Sequence, residues 1–274
     1  MRRYLPVQPP KLQKDVVDAH YRYREYLPSK CLASYVACYW TVDYAPSVKK
    51  KLHRIIPDGC VDIIIDRKSP SFSKAAFVAG LMTEFEAINL SQNVSLFGIR
   101  FFSDTASRFL HYPVSEFTGY HVLLEEIWGF EAALMVEQVV SAAGMTELVE
   151  KVEATLMDIL HSQPPISDEW FRISMQYIYA NRGMLSIRSL AEELNYSERH
   201  LRRIFKKEIG TNPKELLNII RFQSLLQELY HGSQHRLTDL AVKYGYYDQS
   251  HFIRHFKRYY GLLPGQVIKS ETGP

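Results

Sequence analysis

The 274-residue sequence has only three cysteines, Cys31, Cys38 and Cys60, and their irregular spacing does not predict a disulfide framework. Such low usage is typical of a reducing cytoplasm. The first residues, MRRYLPVQPPK, carry two arginines but no apolar run behind them, so they do not predict a signal peptide. No stretch approaches about 18 apolar residues, so no membrane-spanning helix is predicted. We expect a cytoplasmic protein with no membrane partner.

The sequence also lacks the motifs of common catalytic and phosphate-binding sites: it has no GxSxG, HExxH, P-loop or GxGxxG. His53 and Cys60 lie on either side of a Pro-Asp-Gly turn, but no CxxC or HxxxH spacing accompanies them, so we expect an ordinary, partly buried pair. Asp58, Asp62 and Asp66 recur every four residues without an acid/base partner, so we expect them at solvated edges. We therefore predict no enzyme, no metal site and no cofactor.

Composition predicts a folded protein of two domains, since 46% of the residues are hydrophobic and 13% are aromatic. The net charge of +3 is unevenly divided. Residues 168–274 hold 16 basic and 11 acidic residues, whereas the first 167 residues hold 17 and 19. A mildly basic C-terminal half is consistent with a surface that faces phosphate.

The residues that follow position 236 have the pattern of two short helices joined by a turn. Leu237, Leu240, Ala241 and Tyr244 fall on one helical stripe, which Gly245 ends. A second helix follows an N-cap at Asp248, and its apolar positions are Phe252, Phe256 and Tyr259, with Ile253 at the margin. Its opposite face carries Ser250, Arg254 and Lys257, flanked by His251 and Arg258. This is the plan of a helix-turn-helix, whose second helix enters the DNA major groove.

The same pattern occurs a second time, about fifty residues earlier. The first helix of this copy has the stripe Ile187, Leu190, Ala191 and Leu194. Beyond the turn, the positions of the later copy recur 51 residues earlier: Ser197, Leu201, Arg203, Phe205, Lys206, Gly210 and Pro213 match Asp248, Phe252, Arg254, Phe256, Lys257, Gly261 and Pro264. Between the copies, Asn212 can cap a long helix that starts at Pro213 and runs to Tyr230. Such a rod of about 27 Å can hold two reading helices roughly one DNA turn apart.

The stretches LAEELNYSERHLRRIFKKEIGTNPKEL at 190–216 and LAVKYGYYDQSHFIRHFKRYYGLLP at 240–264, with Arg221 between them, resemble the AraC/XylS family of bacterial transcription regulators. Asn195 stands where the family usually has glycine, and Asn tolerates the left-handed backbone. Ile253 stands where the family commonly has a small polar residue. An isoleucine side chain has no hydrogen-bonding group to read a base, but it can contact a thymine methyl. The resemblance implies double-stranded DNA and RNA polymerase as partners, with location at the nucleoid and activation as the commoner outcome.

The two second helices carry the side chains that we expect to contact DNA. An arginine fork matches the two acceptors of guanine, although each arginine could instead contact phosphate or lie on a solvated face. Expected base contacts are Arg199, Arg202, Arg203, Gln249, Ser250, His251 and Arg254. Expected phosphate contacts are Ser197, Lys206, Lys207, Lys257 and Arg258.

The first 162 residues predict a β-rich domain with trailing helices. Strands are expected at 35–44, 52–56, 61–65, 75–82, 85–90 and 94–102, and the Pro-Asp-Gly turn predicts a hairpin between the second and third. Helices are expected from Ser103 as N-cap to Pro113, and at 122–128, 130–142 and 146–161. The predicted fold class is α+β: a barrel-like or sandwich-like domain at 1–162, a linker at 163–167, and an all-α domain of two helix-turn-helix motifs at 168–274.

The role of the N-terminal domain stays open at this stage. IIPDGCVDIII and GIRFFSDTASRFLHYPVSEF are similar to the effector or interaction domain in one branch of AraC-like regulators, which implies a small-molecule effector or a homodimer. Aromatic side chains of the strands could line a cavity or simply form the core. The helix at 146–161 could pack on its own domain or on a partner copy. An alternative is metal- or thiol-based chemistry in this domain, targeted to DNA by the other.

Overall fold

The computed structural model describes residues 4–12, 20–46, 51–162, 168–231 and 237–267, and it has the predicted α+β architecture: a β-rich N-terminal part followed by an all-helical C-terminal part. The strands are β1 Tyr21–Tyr26, β2 Val36–Tyr44, β3 Lys51–Ile55, β4 Cys60–Asp66, β5 Ala76–Ala79, β6 Glu86–Leu90, β7 Val94–Phe102 and β8 His121–Leu123. The helices before the linker are α1 Pro9–Leu12, α2 Ser107–Leu110, α3 Leu124–Trp128, α4 Phe130–Ser141 and α5 Met145–Ser162. Those after it are α6 Glu169–Ala180, α7 Ile187–Glu193, α8 Glu198–Ile209, α9 Pro213–Tyr230, α10 Leu237–Lys243, α11 Gln249–Tyr260 and α12 Pro264–Val267.

Six strands form an antiparallel sheet in the order β1-β2-β7-β4-β5-β8, and β3 and β6 form a separate two-stranded ribbon. The sheet is buried on both faces, which explains the nearly continuous apolar run of β4. One face packs on helices and the other forms a cluster that includes Leu90 of the ribbon. On that second face Trp40 lies against Gly98, where a Cβ would collide with the indole. The indole therefore fills this part of the interior as core.

The predicted hairpin across the Pro-Asp-Gly turn is wrong. β3 pairs with β6, whereas β4 pairs with β5 and β7, so the turn carries the chain from one sheet to the other. Tertiary contacts hold the turn in this crossing: the Asp58 side chain accepts from the Cys60 N–H at 3.0 Å, and its carbonyl accepts from the Tyr4 hydroxyl at 2.5 Å. A turn sequence alone does not specify which strands it connects.

Two other local predictions are wrong, and two elements were missed. Ser103 is not a helix cap, because helix α2 starts only at Ser107 and the buried Ser103 hydroxyl has no partner among the described residues. The run at 122–128 begins as strand β8 and becomes helical at Leu124. Strand β1 and helix α6 were not predicted. Within the described residues, no helix is both long and apolar enough to cross a membrane.

Helix α5 packs on its own domain. Leu148, Val152 and Leu156 are buried in the core beneath the sheet, and Glu153 accepts from the Tyr39 hydroxyl at 3.2 Å. These three aliphatic side chains are therefore buried within the chain itself. Of the two alternatives for this helix, the structure has packing inside the domain and not packing on a partner copy.

The two halves share a continuous hydrophobic core. Tyr4 stacks on Tyr179 of α6 with ring centroids 4.8 Å apart, and a Cβ at Gly59 would be 3.0 Å from the Ile220 side chain of α9. One buried cluster extends from the sheet through α6 and α8 to the first half of α9. The predicted linker at 163–167 lies outside the described residues, but the two parts that it joins are packed together.

Candidate nucleic-acid interface

The first helix-turn-helix is built from α7 and α8. The turn contains Asn195 in the left-handed region, with φ of 55°. The Ser197 hydroxyl accepts from the His200 N–H at 3.2 Å and caps α8, and Gly210, with φ of 69°, ends it. Leu201 and Phe205 are fully buried, so the opposite face of α8 is left for solvent or DNA.

The second helix-turn-helix repeats this construction with α10 and α11. Gly245, with φ of 66°, takes the place of Asn195. The Asp248 carboxylate accepts from the His251 N–H at 2.6 Å and caps α11. The buried stripe consists of the three predicted residues and Tyr260. The predicted duplication of helices, caps and turns is thus present.

Helix α9 braces both motifs. It has 18 residues and starts as predicted, with the Asn212 side chain accepting from the Glu215 N–H at 2.9 Å and proline in its first turn. Leu216 and Ile220 join the core that contains Phe205 of α8, whereas Phe222 packs on Phe256 of α11 with centroids 5.3 Å apart. One rigid helix therefore anchors α8 and α11, the two candidate recognition helices.

The solvent face of α8 carries the predicted basic residues in exposed positions. Arg199 has no partner among the described residues, and the others have short-range contacts within their own helix or its cap. These are Arg202 to Glu198 at 2.8 Å, Arg203 to His200 at 3.1 Å, Lys206 to the Gly210 carbonyl at 2.9 Å and Lys207 to Glu208 at 3.4 Å. Exposed contacts of this kind contribute little free energy, so phosphate or base acceptors can replace them.

The solvent face of α11 is less uniform than predicted. Gln249, Ser250, Arg254 and Lys257 are exposed and available to a ligand. His251 is half-buried: its ring packs against Tyr246 with centroids 5.4 Å apart, and its Nδ1 is buried without a partner among the described residues. Its Nδ1 therefore cannot contact a base unless the imidazole rotates outward.

Arg258, a predicted phosphate contact, is engaged by two carboxylates. Its guanidinium lies 3.3 Å from Glu84 of the β-rich domain and 3.0 Å from Glu215 of α9. It also lies over the Tyr259 ring at 5.3 Å. A phosphate that binds Arg258 would compete with these partners.

The β-rich domain contacts the C-terminal ends of both candidate recognition helices. Ser115 and Thr118 donate to the carbonyls of Lys207 and Ile209, at 2.6 and 2.8 Å, at the end of α8. At the end of α11, the Arg54 guanidinium donates to the Tyr260 carbonyl at 3.2 Å. These carbonyls have no partner inside their own helices, so the N-terminal domain satisfies them. No sequence pattern pointed to this docking.

Gln223 is a second interdomain contact that sequence reasoning missed. Its side chain is fully buried within α9, where its Nε2 donates to the Pro57 carbonyl at 2.8 Å and its Oε1 accepts from the Val7 N–H at 2.8 Å. A polar residue inside the apolar run FQSLL was the only signal in the sequence that could have indicated it. A buried amide needs partners, and these lie in the other domain.

Asp58 and Asp62 are not at solvated edges, which corrects that prediction. Both are buried and contact the guanidinium of buried Arg100, at 3.1 and 2.8 Å. Cys60 beside them is buried, and burial raises the pKa of its thiol. An activated thiol has a lowered pKa, so this environment disfavours the alternative of thiol chemistry. His53 contacts Tyr21 instead of Cys60, and no group of three metal-ligating side chains occurs in the described part of the chain.

Comparison with known families gives two matches. Residues 24–123 match a domain of unknown function, and residues 190–270 match a helix-turn-helix domain of the AraC type. The second match spans both helix-turn-helix motifs and the brace between them. This C-terminal part of the chain is similar to regulators of the AraC/XylS family.

Two relatives show the extent of the similarity. The chain is 32% identical over 89 residues to the transcriptional activator AarP of Providencia stuartii, which is 32% of this chain and 65% of AarP. It is 28% identical over 117 residues to the lactose operon transcription activator of Staphylococcus xylosus, which is 42% of each chain. The chain thus spans less than two thirds of these relatives.

Among solved structures, the chain is similar to ToxT from Vibrio cholerae O395 with a TM-score of 0.43 and 16% sequence identity. That comparison covers 94% of this chain and all of ToxT.

Proposed function

We propose that this chain is an AraC-type, cytoplasmic activator that reads two successive major grooves with α8 and α11. In this mechanism the lysines near the ends of both helices fix the register on phosphate, and Arg199, Arg203 and Arg254 read base edges. Residues 168–274 form the DNA-binding domain, and residues 1–162 modulate binding or recruitment of RNA polymerase.

The observation that carries this proposal is the attachment of both recognition helices to one rigid brace. Helix α9 is about 27 Å long, and its buried side chains contact the cores behind α8 and α11. Successive major grooves on one side of B-DNA are about 34 Å apart, so a brace of this length suits binding of a monomer to adjacent grooves. Activation is proposed because several relatives are described as activators.

Selection of DNA from a random pool by the full chain tests the proposal. We expect a defined site with two half-motifs about ten base pairs apart. The affinity for the selected site should then fall steeply as salt is added. The logarithm of the binding constant should decrease against the logarithm of the salt concentration with a slope of roughly 0.9 per phosphate contacted. Recovery of a single half-motif would contradict the two-groove mechanism, and equal binding to competitor DNA would contradict sequence-specific reading.

A further inference from the structure

A cavity of about 230 Å³ lies between the sheet and the turn that precedes α5, on the face of the sheet opposite Trp40. Its floor is formed by β1 and β2. In the register of these two strands, Arg22 lies opposite Asp43 and Arg24 lies opposite Thr41. Its wall is the turn between α4 and α5, including Ala143. None of the side chains proposed to contact DNA lines this cavity.

Three arginines and one carboxylate line the cavity. Arg67 donates from the same Nη2 to Asp43 at 2.9 Å and to Ser95 at 2.7 Å, so the only carboxylate in the lining is already neutralised. Arg22 and Arg24 are exposed and have no ion-pair partner in the described part of the chain. Two uncompensated guanidinium groups beside one concave surface favour an anion, which relieves their mutual repulsion.

The opposite side of the cavity is apolar. Met145 is half-buried and Leu148 is buried, and both are in the lining. The volume is below the roughly 300 Å³ at which pockets for drug-sized ligands begin. The occupant that fits is therefore an acid of a few carbons, with its charged group at the arginines and its chain against α5.

We propose that this cavity binds a small organic anion through Arg22 and Arg24, with Met145 and Leu148 contacting its carbon chain. An arginine fork holds a carboxylate with two parallel hydrogen bonds, and two forks can hold a dianion. The Thr41 hydroxyl, opposite Arg24 in the sheet, supplies a further donor. Binding here does not require DNA, so its failure and the failure of DNA reading are distinguishable.

Isothermal titration calorimetry of the full chain with glutarate, a five-carbon dicarboxylate, tests the site at constant ionic strength. We expect saturable binding of one glutarate per chain and none of the neutral diamide of the same length. Arg22→Gln and Arg24→Gln should each weaken binding by about tenfold, because each removes a charge-assisted contact. Lys74→Gln, which removes an exposed cation outside the cavity, is the matched control and should bind as the unaltered chain does.

Ala143→Trp separates a shaped site from a merely basic surface. The indole would occupy the cavity without changing its charge, so we expect glutarate binding to be lost. Glutarate binding that survives Ala143→Trp, or that is the same in Arg24→Gln and the unaltered chain, would overturn the proposal. Absence of saturable binding up to about 10 mM, equivalent to less than about 3 kcal/mol of affinity, would overturn it as well.

Discussion

The Arg258 guanidinium of the second recognition helix is 3.3 Å from the Glu84 carboxylate of the β-rich domain. The same domain hydrogen-bonds to the last carbonyls of both recognition helices. A candidate phosphate contact therefore also serves as a contact between domains. If Arg258 cannot bind phosphate and Glu84 at the same time, DNA affinity and docking of the two domains are coupled.

Glu84→Gln should strengthen DNA binding by about two- to fivefold at low salt, since exposed ion pairs typically contribute less than about 1 kcal/mol. The substitution removes the carboxylate that competes with phosphate for Arg258. Fluorescence anisotropy on the selected site measures the effect. Glu86→Gln, an exposed carboxylate two residues away, is the control and should change affinity less. Unchanged affinity in Glu84→Gln would contradict competition between Glu84 and phosphate for Arg258.

Arg203→Ala and Arg254→Ala should each cost about 1–3 kcal/mol of binding and relax the preference at one base pair. Lys257→Ala should instead weaken binding to all sequences. It should also reduce the slope of log affinity against log salt concentration by about one, because one phosphate contact is lost. Binding to a panel of single-base variants of the selected site separates these patterns.

The matched control for the recognition arginines is Arg188→Ala on α7, where Arg188 is exposed and paired with Glu192 at 2.9 Å. We expect it to retain the base preference. If Arg203→Ala and Arg254→Ala keep the full preference as well, these arginines are not base readers.

Gln223→Leu should lower the free energy of unfolding by about 2–4 kcal/mol, because it leaves the Pro57 carbonyl and the Val7 N–H buried without partners. Urea unfolding measures the change. Ser224→Ala is the adjacent control: among the described residues that hydroxyl donates only to the Ile220 carbonyl of the same helix, at 2.8 Å, so its loss should cost about 1 kcal/mol. Equal costs for the two variants would argue against an interdomain role for Gln223.

Stability should decrease as the pH falls from about 6.5 towards about 4. Burial lowers the pKa of His53 to about 4, with Arg100 adding to the effect, and burial and then Arg221 lower that of His255 to about 4. Because both values in the fold lie below the ordinary 6.5, the unfolded chain takes up protons first, and the stabilisation present above that pH is lost on acidification.

Urea unfolding at pH 7.5 and pH 5 measures this dependence. The pair of substitutions His53→Gln and His255→Gln should flatten the profile, whereas His231→Gln, at an exposed position, should leave it as it is. A profile that keeps its slope in the double variant would assign the effect to other groups.

The strand predictions show where sequence reasoning reached its limit. All of the predicted strands agree with the structure to within a few residues, because alternation along a strand is a local property. Their pairing was wrong at the Pro-Asp-Gly turn, because partners far along the chain, including Tyr4 and Arg100, hold that turn. The buried aspartates were misplaced for the same reason: a carboxylate is buried only if a cation from another strand meets it.

The sequence by itself determined the two capped helix-turn-helix motifs, their apolar and basic faces and the helix between them. Each of these features depends on residues a few positions apart, and the duplication repeats every signal. Only the tertiary structure decided that both recognition helices end against the β-rich domain, that Arg258 is shared with Glu84, and that Gln223 links α9 to the first residues of the chain. Those contacts join residues more than 80 positions apart, and no periodicity along the chain encodes such a pairing.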